Sequence, residues 1–117
     1  MASYLIDTDI FIDHLRVGLR VPTQPEDSAY SSITRAELYA GAGTHEDVVD
    51  LLLSAFQEIP VEQTVAEEGG RIRRRTGIAL PDALVAATAV LSSRTLVTRN
   101  ERHFKRVRGL KLRVPKR

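Results

Sequence analysis

The sequence predicts an α/β fold, a single domain with a mostly parallel central sheet of four or five strands and helices on both faces. Its length of 117 residues is that of one domain. Short apolar segments alternate with segments of helical periodicity, the pattern of strand–helix–strand units. The chain is 43% hydrophobic and 27% charged, which are ordinary values for a globular protein. We therefore expect residues 1–117 to form one folded unit.

The N-terminal third predicts two strands separated by a short helix and a loop. Residues 3–6 form an apolar run that ends at Asp7, and residues 9–15 carry apolar positions at helical spacing. Two prolines, one glycine and two acids mark residues 16–27 as a loop. Residues 28–31 are expected to form the second strand.

Three Ser/Thr-x-x-acid spacings predict helix N-termini through capping boxes. They begin at Thr34, Thr44 and Thr64, each followed three residues later by an acid. The first of these helices is expected to end at the Gly-Ala-Gly run 41–43, and the third at Gly77. Between the second and third helices, residues 58–61 predict a short strand.

The C-terminal third predicts a buried helix, a strand, a short helix and an edge strand. Pro81 suits a first helical position, and residues 82–93 are almost entirely apolar, which is typical of a helix buried on all sides or covered by a second subunit. Residues 95–98 predict a strand and 101–106 a short helix. Residues 110–114 alternate apolar and basic side chains, as expected for an edge strand.

Charge is unevenly distributed along the chain, although the net charge is only +2. Residues 1–70 hold thirteen acidic and three basic residues, whereas residues 94–117 hold ten basic residues and one acid. Such asymmetry indicates either a nucleic-acid or acidic partner, or two halves that neutralise each other in the fold. Arginine outnumbers lysine, which favours bidentate phosphate contacts.

Polar side chains follow the predicted strands at the points where those strands end. Asp7 follows the first strand, Glu37 the second, and Asn100 the fourth, while Asp82 opens the buried helix. Each acid alone has a structural explanation, as a helix cap, a capping-box partner or a first-turn acid. If the strands are parallel neighbours, however, their carboxyl ends meet at one edge. Three clustered carboxylates repel one another, and oxygen-only ligands favour Mg2+ or Mn2+.

Four sequence segments resemble those of PIN domains, and more closely those of VapC toxins from bacterial type II toxin–antitoxin pairs. They are YLIDTDIFIDHL, SSITRAELYAG, LPDALVAATA and LVTRNERHF, and the resemblance covers essentially the whole chain. It implies a Mg2+- or Mn2+-dependent endoribonuclease with Asp7, Glu37 and Asp82 as catalytic and metal-binding acids. Asn100 falls at the family's fourth position. Asp9, two residues after the first acid, or Glu101, beside the fourth position, is expected to support a metal.

The resemblance also implies partners. It predicts a homodimer and an RNA substrate such as transfer RNA, whose cleavage would inhibit translation. It also predicts a VapB-like antitoxin that covers the pocket formed by the acids and prevents cleavage. The basic C-terminal third is expected to attract RNA, with Arg99 and Arg102 nearest the pocket and the hydroxyls of Thr8 and Thr98 positioning water or phosphate. Four arginines at positions 71, 73, 74 and 75 extend this basic character.

Two other functions fit parts of the sequence. Asp7-Thr8-Asp9 after a strand is similar to the nucleophile motif of haloacid-dehalogenase-like phosphatases, although Phe11 does not suit that motif. Asn100, being neutral, is also compatible with a degenerate PIN domain that binds RNA or protein without cutting. The absence of cysteine excludes thiolate chemistry. No apolar run or signal layout predicts membrane insertion or export, so we expect a cytoplasmic protein.

Overall fold

The computed structural model describes residues 2–116, and in this part of the chain five strands alternate with six helices. The strands are β1 (Tyr4–Ile6), β2 (Ser28–Ser31), β3 (Gln57–Ile59), β4 (Thr95–Val97) and β5 (Leu112–Arg113). The helices are α1 (Thr8–Val17), α2 (Ser32–Ala40), α3 (Glu46–Leu53), α4 (Gln63–Thr76), α5 (Leu80–Leu91) and α6 (Glu101–Phe104). One 3-10 turn, Pro25–Asp27, precedes β2.

All five strands are parallel, in the order β3-β2-β1-β4-β5. The central strand β1 pairs with both β2 and β4, so the carboxyl ends of these three strands are neighbours at one edge. The predicted α/β fold and parallel sheet are therefore confirmed. This edge is where parallel α/β sheets place their binding sites.

Each central strand sends consecutive side chains to opposite faces of the sheet, as strand geometry requires. One face carries Leu5, Ala29 and Leu96, which pack with buried residues of α4, α5 and α6. The other face carries Ile6, Tyr30 and Val97, which pack with α1, α2 and α3. Helices therefore cover both faces, as predicted. The edge formed by the carboxyl ends of β1, β2 and β4, where Asp7 lies and which we call the acidic edge, is between two separate cores.

The apolar helix α5 is buried by its own domain along most of its length. It packs against the sheet and against α4, where Gly69 allows a close approach to Leu84. Its remaining exposed apolar side chains are at its ends, Leu80 and Leu91. The apolar character of α5 is thus explained largely without a second subunit. Within residues 2–116, no helix has the length and apolar character needed to cross a membrane.

The three predicted capping boxes are wrong. Helix α2 follows β2 directly, with Ser31 as its N-cap accepting a 3.1 Å hydrogen bond from the amide of Ile33, so Thr34 lies inside the helix. Helices α3 and α4 are preceded by His45 and Glu62, neither of which makes a side-chain cap bond. Pro81 is the second residue of α5 instead of the first. The predicted closure of α4 at Gly77 is confirmed, because this glycine adopts a left-handed conformation with φ of 77°.

Candidate active site

Asp7 lies at the acidic edge and is held rigidly by the residues on either side of it. It follows β1, caps α1 and is only 5% exposed. Its Oδ1 accepts a 2.9 Å hydrogen bond from the amide of Thr8, and its Oδ2 accepts a 2.8 Å bond from the hydroxyl of Thr98. Because both carboxylate oxygens are engaged, the side chain has a fixed orientation.

The electrostatic environment of Asp7 disfavours its negative charge. Burial, and after it the charges of Asp9 and Asp82, raise the pKa of Asp7 to about 7, because the hydrogen bonds from Thr98 and Thr8 only partly offset these effects. Asp9 and Asp82 are thus close enough to Asp7 to affect its ionisation. At neutral pH the Asp7 side chain is therefore stabilised either when it binds a proton or when a cation lies nearby.

Glu37 is joined to the same edge through a threonine pair. The hydroxyl of Thr8 donates a 2.6 Å hydrogen bond to Oε1 of Glu37, and it lies 3.0 Å from the hydroxyl of the buried Thr34. Glu37 is the sixth residue of α2, so it is in the second turn and not in the first turn, where the predicted capping box beginning at Thr34 would place it. Its bond to Thr8 also removes its interpretation as the capping-box partner of Thr34.

Asp82 occupies the first turn of α5, and its side chain is 26% exposed. Its Oδ2 lies 3.2 Å from Nδ1 of His103, which is in α6. The sequence indicates no role for this histidine, because nothing in its spacing from Asp82 predicts a contact. Only the packing of α6 beside α5 brings the two side chains together.

Asp9 and Arg99 form a second cluster next to Asp7. The amide of Arg99 donates a 2.9 Å hydrogen bond to Oδ2 of Asp9, while Nε of Arg99 lies 2.9 Å from Oδ2 of Asp13. The Oδ1 atom of Asp9 is buried without a hydrogen-bond partner in the described part of the chain. Burial raises the pKa of Asp9, and Arg99 partly offsets this. Part of the guanidinium of Arg99 is thus committed to Asp13.

The residues after β4 connect to the site mainly through their backbone. Thr98 is fully buried, and its hydroxyl accepts a 3.0 Å hydrogen bond from the amide of Asn100. The side chains of Asn100, Glu101 and Arg102 are exposed around the start of α6. Arg102 therefore presents its charge to solvent, whereas Arg99 is half-buried.

The donor set suits a hard divalent cation, although it is not already arranged around one. Asp7, Glu37 and Asp82 supply oxygen ligands, and the unpartnered oxygen of Asp9 adds another. The raised pKa of Asp7 shows that burial and the neighbouring acids disfavour its negative charge, which a cation would neutralise. Within residues 2–116, no three acidic or histidine side chains are grouped closely enough to hold a metal. Binding a cation requires side-chain rotation, for which Glu37 has the longest side chain.

A parallel five-stranded sheet with acids at its carboxyl edge is the arrangement expected of a PIN domain. The PIN-domain family model matches residues 4–110. The chain also is 36% identical over 113 residues to Ribonuclease VapC19 of Mycobacterium tuberculosis, covering 86% of this chain and 90% of that protein. It is 35% identical over 119 residues to Ribonuclease VapC10 of the same species, covering 92% and 90%. The chain therefore belongs to the PIN-domain family, with relatives among the VapC ribonucleases.

Solved structures agree with this assignment. A toxin–antitoxin complex from Klebsiella pneumoniae contains a chain with 33% identity and a TM-score of 0.77, with 97% of each chain covered. DNA-bound VapBC from Salmonella typhimurium gives a TM-score of 0.84 at 24% identity, over 97% of this chain and 98% of that one, and this likeness shows the fold alone. Membership of the PIN family also excludes the phosphatase interpretation of Asp7-Thr8-Asp9.

Proposed function

We propose that this chain is a metal-dependent endoribonuclease, the toxin of a toxin–antitoxin pair, which hydrolyses phosphodiester bonds of a structured RNA such as transfer RNA and so inhibits translation. The observation that carries the proposal is the buried carboxylate of Asp7, whose pKa is raised to about 7 by burial and by Asp9 and Asp82. The negative charges of these acids destabilise the folded protein when no cation is present. The same charges favour the binding of a cation among them.

In this proposal Asp7, Glu37 and Asp82 bind Mg2+ or Mn2+, and Asp9 or Asn100 supports the ion. A bound cation of this type lowers the pKa of a coordinated water and stabilises the charge that develops on phosphate oxygens. Asp7 contributes a fixed carboxylate, because both of its oxygens are oriented by hydrogen bonds. Two cations are less well supported than one, because Asn100 is neutral.

The hydroxyl of Thr8 connects two of these acids. Thr8 follows Asp7, and its hydroxyl donates to Oε1 of Glu37, so rotation of Glu37 towards a cation frees this hydroxyl. It is then available to bind a water or a phosphate oxygen. Thr98 has the different task of orienting Asp7, since its hydroxyl is already used by Asp7 and by the amide of Asn100.

RNA attraction is assigned to basic side chains around the acids, because the acids themselves repel phosphate. Arg102 is exposed on α6 and is the first candidate for a phosphate contact. Arg99 lines a groove of about 810 Å³ beside α1, to which Arg20 and Lys116 also contribute. Its pairing with Asp13 makes Arg99 a weaker candidate than Arg102 for direct phosphate binding. Such an RNA substrate places the proposed activity in the cytoplasm.

A VapB-like antitoxin is the proposed protein partner. An apolar depression of about 240 Å³ lies between α1, α2 and α3, and its lining includes Leu15, Leu38, Val48 and Glu37. Leu15 is 37% and Val48 48% exposed, so apolar area remains uncovered next to a proposed catalytic acid. A partner segment bound in this depression would reach Glu37. If that segment also covered the acids, it would prevent RNA from reaching them, as expected of an antitoxin.

A homodimer is proposed through the surface where α2 meets the start of α5. This surface has an almost entirely apolar depression lined by Ile33, Ala36, Leu80, Pro81 and Leu84. Leu80 is 50% exposed, and Glu37 borders the same depression. A second copy that covers this surface would therefore lie beside the acidic edge and extend the surface available to RNA.

The decisive experiment incubates the purified chain, stripped of any bound partner, with total transfer RNA in Mg2+ or Mn2+. We expect discrete fragments that disappear with EDTA and with Asp82→Asn. Asp47→Asn is the matched control, because Asp47 is also a first-turn helix acid but is exposed in α3, and it should cleave like wild type. Equal cleavage by folded Asp7→Asn, Asp82→Asn and wild-type proteins would refute the proposed site.

A catalytically degenerate PIN domain that binds RNA or protein is the second candidate. It is favoured by Asn100 at the fourth position and by the lack of a preformed three-residue metal group in residues 2–116. RNA binding by a folded, Mn2+-saturated protein that leaves transfer, ribosomal and messenger RNA intact would establish this alternative. Metal-dependent fragments from any of these RNA classes would reject it.

A further inference from the structure

A continuous chain of contacts connects the first proposed metal-binding acid to the third. The hydroxyl of Thr98 donates to Oδ2 of Asp7 at 2.8 Å, and the amide of Asn100 donates to that same hydroxyl at 3.0 Å. The amide of His103 donates to the carbonyl of Asn100 at 3.0 Å, and Nδ1 of His103 lies 3.2 Å from Oδ2 of Asp82. The turn from β4 into α6 therefore links Asp7 to Asp82.

Both ends of the final contact are attached to well-anchored backbone. Phe104, the residue after His103, is fully buried in the core that includes α5, so it fixes α6 in place. Asp82 is followed by Ala83, which is also fully buried. The ring of His103 is nevertheless 58% exposed, and its described polar contact is the one to Asp82. An exposed pair of this kind contributes little to stability, so its position beside the acids requires another explanation.

We propose that His103 is a positioning residue, which donates an Nδ1–H hydrogen bond to Oδ2 of Asp82 and so holds the carboxylate with its other oxygen available to a cation. The inference rests on the proposed function of the acids. The ring donates from Nδ1 whether it is the neutral Nδ1–H tautomer or the charged form. Outer partners of this type orient metal-binding carboxylates, and their loss typically weakens metal binding about 10–100-fold.

The opposite arrangement, in which His103 competes with the cation for Asp82, predicts the opposite result. His103 engages Oδ2 of Asp82, while the charge of Asp82 already acts on Asp7. Asp82 therefore contributes to the acidic cluster while it contacts the histidine, and the contact does not draw it away. Removal of the ring should accordingly weaken cation binding, whereas removal of a competitor would strengthen it.

The test measures Mn2+ affinity by isothermal titration calorimetry on the full chain, without RNA. We expect His103→Ala to raise Kd for Mn2+ about 10–100-fold. His103→Asn should restore affinity to within about threefold of wild type, because the Asn amide nitrogen reaches the place of Nδ1. Lys105→Ala, a change of an exposed residue next to α6, is the control and should bind Mn2+ like wild type. All variants should unfold at the same urea concentration as wild type within error.

Three outcomes overturn the inference. Unchanged or tighter Mn2+ binding by His103→Ala, with Asp82→Asn still defective, rejects the role of His103 while leaving the proposed active site intact. Equal losses in His103→Ala and His103→Asn reject the hydrogen bond as the cause. Normal Mn2+ binding by Asp82→Asn rejects both the inference and the assignment of Asp82 as a ligand.

Discussion

Asp7→Asn is expected to stabilise the metal-free protein at alkaline pH while abolishing cleavage. The amide keeps the size of the side chain and an oxygen that accepts the helix-capping bond from Thr8, but it cannot ionise. The hydroxyl of Thr98, which now donates to Asp7, can rotate to accept from the new amide. The substitution therefore removes the buried charge and keeps a contact between the two side chains, although the Thr98 hydroxyl proton gives up Asp7 as its acceptor.

The size of the effect follows from the raised pKa of Asp7. Its pKa is 3.8 in the unfolded reference and about 7 in the folded chain, so the folded state holds a proton more tightly. The favourable contribution is fully present below pH 3.8 and is lost as the pH rises through about 7. At about 1.36 kcal/mol for each pKa unit, the total loss is roughly 4 kcal/mol for wild type and zero for Asn.

The assay is urea unfolding of both proteins in EDTA at intervals from pH 4 to pH 8.5. The difference in unfolding free energy, wild type minus Asp7→Asn, should fall by a few kcal/mol across this range. Asp47→Asn, which changes an exposed acid, should give a nearly constant difference. A constant difference for Asp7→Asn as well, or a wild type that is the more stable protein at pH 8.5, would refute the electrostatic reasoning.

Two further predictions concern packing and RNA binding. Gly69→Ala should destabilise the protein by about 1–3 kcal/mol, because the new Cβ would lie 2.5 Å from Cδ2 of Leu84 and 3.3 Å from its Cα. In the control Gly70→Ala, the new Cβ has no heavy atom within 4 Å, so this change should stabilise the protein by about 0.5–1 kcal/mol. Equal urea midpoints for Gly69→Ala and Gly70→Ala would contradict the close contact between α4 and α5. Arg102→Ala should reduce the salt dependence of RNA binding by about one unit of log–log slope, whereas Arg71→Ala, whose side chain is already paired, should not. Identical slopes would exclude Arg102 from the interface.

The order of elements was predictable from the sequence because β1 and β4 are short, mainly apolar segments and each is separated from the next strand by a segment of helical periodicity. The positions at which helices begin were less predictable, because a Ser/Thr-x-x-acid spacing has several possible uses. The hydroxyl of Thr44 donates to the carbonyl of Leu38 and contacts that of Gly41, so it closes the turn after α2 and does not cap α3. Ser31 caps α2 because β2 leads directly into that helix.

The predicted site residues divide according to the kind of information that places them. Asp7 and Glu37 follow adjacent parallel strands, so strand order alone brings them near each other. The contact of Asp82 with His103 depends on how α6 folds back against α5, and no sequence spacing encodes it. The pairing of Arg99 with Asp13 likewise joins a loop to the second turn of α1. Side-chain partners of this kind require coordinates.

The topology makes folding and cation binding interdependent. Asp7, Glu37 and Asp82 belong to elements that are far apart in the sequence and meet only when β1 is paired with β2 and β4. The burial of Asp7 and the effect of the Asp82 charge on it therefore exist in the folded state and not in the unfolded chain, where each acid is hydrated separately. A cation that binds the cluster relieves a penalty specific to the folded state, and it stabilises that state by about 2.7 kcal/mol at a hundredfold excess over Kd. Asp7→Asn should lose this stabilisation while gaining intrinsic stability, so at neutral pH the addition of Mn2+ should narrow the difference in unfolding free energy between the two proteins.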